Sequence, residues 1–225
     1  MGRINFWPAD LAWPTDPQGR PLFGLLQLNL SELPTLPGWP AHGILQFFVK
    51  DDAFWGAHPL EPTQQDNFRL HYHDVRQPTQ VKLLEDFSFL PAYEDLPLER
   101  ELYLAVSGTL DSMPLPPEDY RFPQHLGPFF EVFGEDKWAR LGEYRRAIGT
   151  VGHRLGGYPG FIQDDPRQPQ DNWELLLQLD TDPQLGLRWG DYGVAHWFYR
   201  AEATASRSPQ PAHAFSEVWY GWESS

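Results

Sequence analysis

The sequence predicts an α+β fold: a single domain over residues 1–225, predominantly short β-strands, with an internally duplicated β-unit and a few helices. Three observations carry this. The fragment Leu25-Leu26-Gln27-Leu28 returns as Leu176-Leu177-Gln178-Leu179. Each copy is followed by a glycine leading an aromatic run, Gly43-Ile44-Leu45-Gln46-Phe47-Phe48-Val49 and Gly193-Val194-Ala195-His196-Trp197-Phe198-Tyr199. The chain holds 23 prolines and 19 glycines, a density that favours short elements joined by rigid turns over long helices. The best helical run is Asp136 to Ile148, where Trp138, Leu141, Tyr144 and Ile148 recur at three- and four-residue steps.

Residues 1–21 carry Trp7-Pro8, Trp13-Pro14 and the turn Asp16-Pro17-Gln18-Gly19, and read as an irregular arm anchored by aromatic rings. Leu22 to Leu30 is an apolar strand, Ser31-Glu32-Leu33-Pro34 a helical turn or bend, and Gly43 to Val49 a second strand. These make a repeat unit of about 22–50, matched by one of about 173–200, with a long insertion between them. Asp51 to Asn67 is polar and turn-rich, Phe68 to Tyr72 alternates like a half-buried strand, and Val81 to Leu84 suits another. Gly149 and Gly152 end the helix, and Gly156-Gly157-Tyr158-Pro159-Gly160 forms a tight turn. Trp173 to Leu179 is almost continuously apolar, as befits a strand covered on both faces.

Composition narrows the function classes. Asp and Glu outnumber Lys and Arg by 31 to 17, a formal charge of -14 that repels phosphate backbones and favours solubility or a basic protein partner over nucleic acid. There are no cysteines, which excludes disulfides, thiolate metal sites and cysteine nucleophiles. The start Met-Gly-Arg-Ile-Asn-Phe-Trp-Pro lacks a signal-peptide apolar stretch, and no run is long enough for a membrane span, so the expectation is a cytoplasmic protein without membrane association.

Several blocks together resemble the YwqG family, a widespread bacterial domain of unknown function. They are Leu25 to Pro34, Gly156-Gly157-Tyr158-Pro159 with Gln163, Leu175 to Asp180, and Arg188-Trp189-Gly190-Asp191-Tyr192-Gly193. The resemblance covers about residue 7 to about residue 220. It implies a single α+β domain with an internal duplication, in cytoplasmic bacterial proteins with no established activity or cofactor. Some members stand beside toxin genes, which implies an immunity-like or accessory role. Members usually open with Gly-Gly-x-Pro before the first Trp-Pro. Here Phe6-Trp7-Pro8 comes almost at once, and an edge element is expected to be missing or replaced.

The candidate polar residues each admit two readings. Asp180 and Asp182, with Asp191 beside Trp189, either gather a hard cation on converging loops or fix their turns by accepting from backbone amides, Asp191 from that of Gly193. Gln27 and Gln178, inside apolar strands, either tie irregular backbone across the pseudo-symmetric centre or line a cleft that reads a peptide or sugar. His153 and Arg154 precede the Gly156-Gly157 turn, where backbone amides either cradle an anion or His153 serves as a hydrogen-bonding turn partner. His71 and His73 share a face if their segment is a strand, and either bind zinc with a third ligand such as Asp74 or a remote carboxylate or form a plain surface pair. Glu99, Glu101, Glu118, Asp119, Glu131, Glu135 and Asp136 supply carboxylates for glycosidase-like chemistry, which requires two of them held about 5–10 Å apart around a sugar, and the ten tryptophans either wall such a site or fill a core of short strands. No catalytic signature, metal motif or cofactor motif is present, and no Gly-x-Ser-x-Gly elbow occurs.

Two functional readings follow. The first is a non-enzymatic binding or accessory protein whose acidic surface meets a protein partner, and it calls for an exposed aromatic patch bordered by Asp and Glu. The second is a hydrolase or carbohydrate-binding enzyme with a Trp-lined cleft near Asp182, Trp189 and Asp191. With no catalytic signature in the sequence, the first is favoured.

Overall fold

The computed structural model describes residues 4–98, 104–200, 215 and 217–225. Met1–Arg3, Glu99, Glu101 and His213 lie outside them. The described strands form two antiparallel sheets. The first has β1 (Phe23–Asn29), β2 (Ile44–Val49) and β3 (Phe68–His73) in that order. The second has β4 (Arg154–Leu155), β5 (Trp173–Asp180), β6 (Val194–Arg200) and β7 (Val218–Glu223) in that order. Three helices, α1 (Phe122–His125), α2 (Gly127–Glu131) and α3 (Lys137–Ile148), lie in the segment between the sheets. The fold is therefore α+β.

The likeness between β1-β2 and β5-β6 extends to β3 and β7, which pair with β2 and β6 in matching register. Both leading strands also carry an irregularity at the same place, between Gly24 and Leu26 in β1 and between Leu175 and Leu177 in β5. A bulge adds one residue to its strand and so resets which side chains face which way. Here it lets two consecutive leucines, Leu25-Leu26 and Leu176-Leu177, enter one apolar cluster, then turns the glutamine outward and the next leucine inward. The repeated Leu-Leu-Gln-Leu is thus the imprint of a bulged strand.

That cluster draws on both sheets: Leu28, Leu45, Phe47, Val49 and Leu70 from the first, Leu179, Ala195, Trp197 and Tyr220 from the second. Phe47 meets Trp197 edge-on at 5.4 Å, and Phe68 meets Tyr220 at 5.2 Å. Each such side chain stabilises the fold by about 1.5–3 kcal/mol when withdrawn from water. The turn-rich Asp51 to Asn67 connection reaches across to the other sheet, where Tyr220 donates its N–H to the Pro62 carbonyl at 2.9 Å and its Oη to the Trp55 carbonyl at 3.0 Å. Trp222 Nε1 donates to the Phe54 carbonyl at 2.9 Å, so this connection blunts the edge strand β7.

Two local expectations need correction. Val81 to Leu84 does not join a sheet. It forms a single bridge with the N-terminal arm, in which Leu84 N–H donates to the Trp7 carbonyl at 2.8 Å and Ala9 N–H to the Lys82 carbonyl at 2.9 Å. The arm's proline at position 8 limits any longer ladder there. The helix falls where its spacing predicts and ends at Gly149, whose φ of 57° only glycine adopts readily. Its apolar face is narrower than expected, however. Leu141 and Tyr144 pack with Leu115, Phe122 and Phe130 in a small satellite core, whereas Trp138 is 70% exposed.

With one apolar cluster spanning both sheets, truncating Phe47 to Ala is expected to cost about 3–5 kcal/mol and to shift one cooperative transition. Urea unfolding followed by tryptophan fluorescence and by far-UV circular dichroism checks this. Separate transitions for the two probes would contradict it.

Candidate functional site

The outward glutamines hold covering chain segments. On the first sheet, Phe6 N–H donates to Gln27 Oε1 at 3.0 Å, and the Phe6 carbonyl accepts from Nε2 of Gln46, the cross-strand neighbour of Gln27. Gln46 Nε2 also donates to Gln27 Oε1 at 2.9 Å, Gln46 Oε1 accepts from His73 Nε2 at 2.8 Å, and Gln27 Nε2 donates to Asn5 Oδ1. The second sheet repeats the scheme with Gln178 and its cross-strand neighbour His196. Gly160 N–H donates to Gln178 Oε1 at 2.8 Å, while the Gly160 carbonyl accepts from His196 Nε2 at 2.9 Å. Gln178 Nε2 donates to the carbonyls of Thr150 at 3.0 Å and Gly152 at 2.9 Å. In each half, one arm residue has both its N–H and its C=O read by side chains from two adjacent strands. The approach is close enough at Gly160 that a Cβ would lie 2.4 Å from the Thr150 oxygen.

The glutamines therefore do not tie the two units across the pseudo-symmetric centre. Each fastens an arm to the outside of its own sheet, and the join itself is apolar. Gln46 and His196 are the partners that sequence reasoning missed. Both stand three residues after the repeated glycine, but only the strand register reveals that they face the glutamines.

The remaining candidates are also held by the fold. His153 Nδ1 accepts from Asp180 N–H at 3.1 Å, and Nε2 lies 3.5 Å from Asp182 Oδ2. Asp180 Oδ2 accepts from Gly152 N–H at 2.7 Å, and Asp182 Oδ1 accepts from Gln184 N–H at 2.9 Å. These aspartates fasten turns. Asp191 does not do so for Gly193, whose N–H donates instead to the Trp189 carbonyl at 2.7 Å. Arg154 donates to the carbonyls of Thr150 at 2.7 Å, Val151 at 2.9 Å and Tyr158 at 3.2 Å, which bends its own loop and leaves it engaged rather than open to an anion. Gln163 Nε2 donates to the Ser224 carbonyl at 3.0 Å, pinning this loop to the chain end. Trp189 is fully buried against Trp55 and Trp197, so it walls no open cleft with Asp182 and Asp191.

His71 and His73 stack with centroids 5.8 Å apart beneath Trp7, and Asp74 turns to His42 at 2.9 Å, so these three do not converge. Among the described residues, no group of three or more His, Asp or Glu side chains is placed to hold a metal ion. Burial, with the charges of His73 and Arg69, pushes His71 down to about 4. Burial pushes His196 down to about 3, opposed by its bond to the Gly160 carbonyl and aided by the charges of Arg167 and Arg154.

A buried ionic chain joins the helical segment to the second sheet. Arg167, with its side chain wholly buried, donates to Asp119 Oδ2 at 2.7 Å, to both Asp165 oxygens at 2.9 and 2.8 Å, and to the Trp173 carbonyl at 3.1 Å. Arg121 grips Asp119 through Nε at 2.7 Å and Nη2 at 2.8 Å, and both oxygens of Glu174 through Nη1 at 3.0 Å. Burial alone raises the Asp119 carboxyl, but the hydrogen bonds and charge of Arg121 and the charge of Arg167 reverse this and hold it below the usual carboxylate range. Every ion here has partners, as buried charge requires.

Beside this chain lies a cleft of about 640 Å³ between the Met113–Leu115 loop and the helices, walled by Leu126, Phe129, Phe130, Tyr144 and Tyr158. Phe129 (58% exposed) lines it and contacts the exposed Phe133 ring at 5.5 Å, and Val132 and Trp138 are exposed along the same stretch of chain, with Lys137 Nζ over the Trp138 ring at 4.9 Å. Glu131, Glu135 and Asp136 are exposed along the same stretch of chain.

The family described as Domain of unknown function (DUF1963) matches residues 2–224. The chain belongs to that family, in agreement with the YwqG resemblance. No curated protein matches it. Among the described residues, no helix is long and apolar enough to cross a membrane.

Because Gln46 occupies in the first sheet the place that His196 takes in the second, His196→Gln is expected to keep the bond to Gly160 and lose the titration. His196 binds its proton far below the ordinary 6.5. Its stabilisation is complete above pH ~6.5 and is lost as pH falls toward ~3, because the unfolded chain takes up the proton first. The variant should lie within about 1 kcal/mol of the parent at pH ~7 and lose about 2 kcal/mol less on going to pH ~5. Urea denaturation at the two pH values checks this.

Proposed function

We propose that this chain acts as one domain and as a non-catalytic binding or accessory protein, offering an acidic, aromatic surface to a basic protein partner. The observation that supports the reading is the run of exposed apolar residues Phe129, Val132, Phe133 and Trp138, with Glu131, Glu135 and Asp136 exposed in the same stretch of chain. Large exposed aromatic groups cost solubility unless something covers them, and acidic residues among them select against acidic partners. The chain's formal charge of -14 adds long-range attraction for a cationic protein and repulsion between copies. A basic toxin is the partner class that the family resemblance suggests, and an immunity-like role would follow from covering it.

A photo-crosslinking amino acid placed at Phe133 or Trp138 in the native host, followed by purification and titration of the captured protein, tests the proposal. A basic partner is expected, its affinity falling ~10-fold or more between about 0.05 and 0.5 M salt. Trp138→Asp is expected to weaken it at least ~10-fold. An acidic partner, or unchanged affinity in Trp138→Asp, would sink the reading.

A further inference from the structure

We infer that the N-terminal arm is an acid-released strap: protonation of the stacked pair His71 and His73 lifts Phe6 and Trp7 from the outer face of the first sheet and uncovers the Gln27 and Gln46 side chains beneath them. The arm bears on the two imidazoles directly. The Trp7 ring meets His71 edge-on at 5.1 Å and His73 at 5.5 Å, and the Phe6 ring meets His73 at 5.4 Å. Phe48, on the neighbouring strand β2, stands 5.9 Å from His71. Trp7 and Phe48 are fully buried and pack together with Ile4 and Leu22, so the pair lies in an apolar enclosure roofed by the arm. The device belongs to the first half of the molecule. Gly221 takes on β7 the place that His71 takes on β3, each opposite the residue that reads the arm carbonyl, His196 or Gln46. The second arm is held in addition by the Glu223 carboxylate, which accepts from Ile162 N–H at 2.6 Å and Gln163 N–H at 3.3 Å.

The enclosure suits two neutral rings and not two cations. The imidazoles stack 5.8 Å apart, so their charges would repel, and Arg69 stands two residues before His71 on the same face of β3. From β2 and β1 the pair is faced by Gln46, Phe48 and Gln27, all uncharged. Lys50, just past β2, is turned to Asp16 at 3.4 Å and Asp52 at 4.0 Å. In the arm Asn5 is neutral and Asp10 is exposed, as are Lys82 and Glu85 in the segment that bridges to it, and Asp74 is turned to His42 at 2.9 Å. Among the described residues, no carboxylate is paired with either ring. Gln46 Nε2 is committed to the Phe6 carbonyl and to Gln27, which leaves Gln46 Oε1 to accept from His73 Nε2, so a further proton on His73 goes to Nδ1. Burial, then the charges of His73 and Arg69, hold His71 at about 4, and burial lowers His73 as well. With the arm lifted, water returns both toward the ordinary 6.5. Docking is therefore complete above pH ~6.5 and is lost as pH falls toward ~4, and at pH ~5 His71 alone weakens it ~30-fold.

Amide exchange of the full chain, followed by NMR at pH ~7 and ~5 and corrected for the intrinsic rate, tests the strap. The opening constant at Phe6 is expected to rise ~30-fold or more on going to the lower pH, while the amides of β2 stay closed beyond it. His71→Leu with His73→Gln removes both titrations and keeps a donor for Gln46. It is expected to abolish most of the rise at Phe6 and to leave the pH dependence at Gly160 as in the parent. Should that pair of substitutions prevent folding, the parent still decides, because its His71 ring signals should titrate well below 6.5. An opening constant at Phe6 that is the same at both pH values, one that rises as much in the double variant, one that only follows the amides of β2, or an ordinary titration of His71 near ~6.5 would each overturn the inference.

Discussion

The architecture depends on a bulge in the leading strand of each sheet. A regular strand alternates its side chains, so Leu-Leu-Gln-Leu would send one leucine of the pair to the outer face. The extra residue in β1 and in β5 admits both leucines to the shared interior and points Gln27 and Gln178 the other way. Packing between sheets and fastening of the outer arms therefore come from the same local distortion. Apolar burial drives the first. The second depends on satisfying arm peptide groups that would otherwise be buried without partners, each at a cost of about 1–3 kcal/mol.

The two halves solve the second problem with different chain segments. In the first, an N-terminal arm brings Phe6 to the glutamine pair; in the second, the loop after α3 brings Gly160 to a glutamine and a histidine. The strands read only the backbone of the arm residue, so phenylalanine serves in the first half, while the second half requires glycine because Thr150 leaves no room for a Cβ at Gly160. The chemical requirement is one acceptor and one donor on adjacent strands, which Gln with Gln and Gln with neutral His both meet. The second half also carries the ionic chain through Arg167 and Arg121, which anchors the helical segment to β5.

Much of the scaffold was legible in the sequence because its signals are local. Leu22 to Leu30, Gly43 to Val49, Phe68 to Tyr72 and Trp173 to Leu179 overlap strands β1, β2, β3 and β5, and the run to Ile148 forms α3. The equivalence of β3 and β7 was hidden, since Phe-Arg-Leu-His-Tyr and Val-Trp-Tyr-Gly-Trp share a pattern of burial but scarcely a residue. The candidate site was less legible. Trp189 looks like a cleft wall beside two aspartates, yet the fold buries it against Trp55, 134 positions earlier in the chain. Asp119 and Arg167 carry no local mark of burial either, because each becomes tolerable inside only through the other at 2.7 Å. Such long-range pairing is set by topology, which periodicity does not encode.

Amide hydrogen exchange at Phe6 and Gly160, followed by NMR in the parent and in Gln27→Leu and Gln178→Leu, tests this account most directly. In the parent, both N–H groups should exchange as slowly as the strands beneath them. Gln27→Leu should expose Phe6 and spare Gly160, and Gln178→Leu should do the reverse. Fast exchange at both sites in the parent, or protection lost in both halves from either substitution, would contradict the claim that each glutamine fastens its own arm.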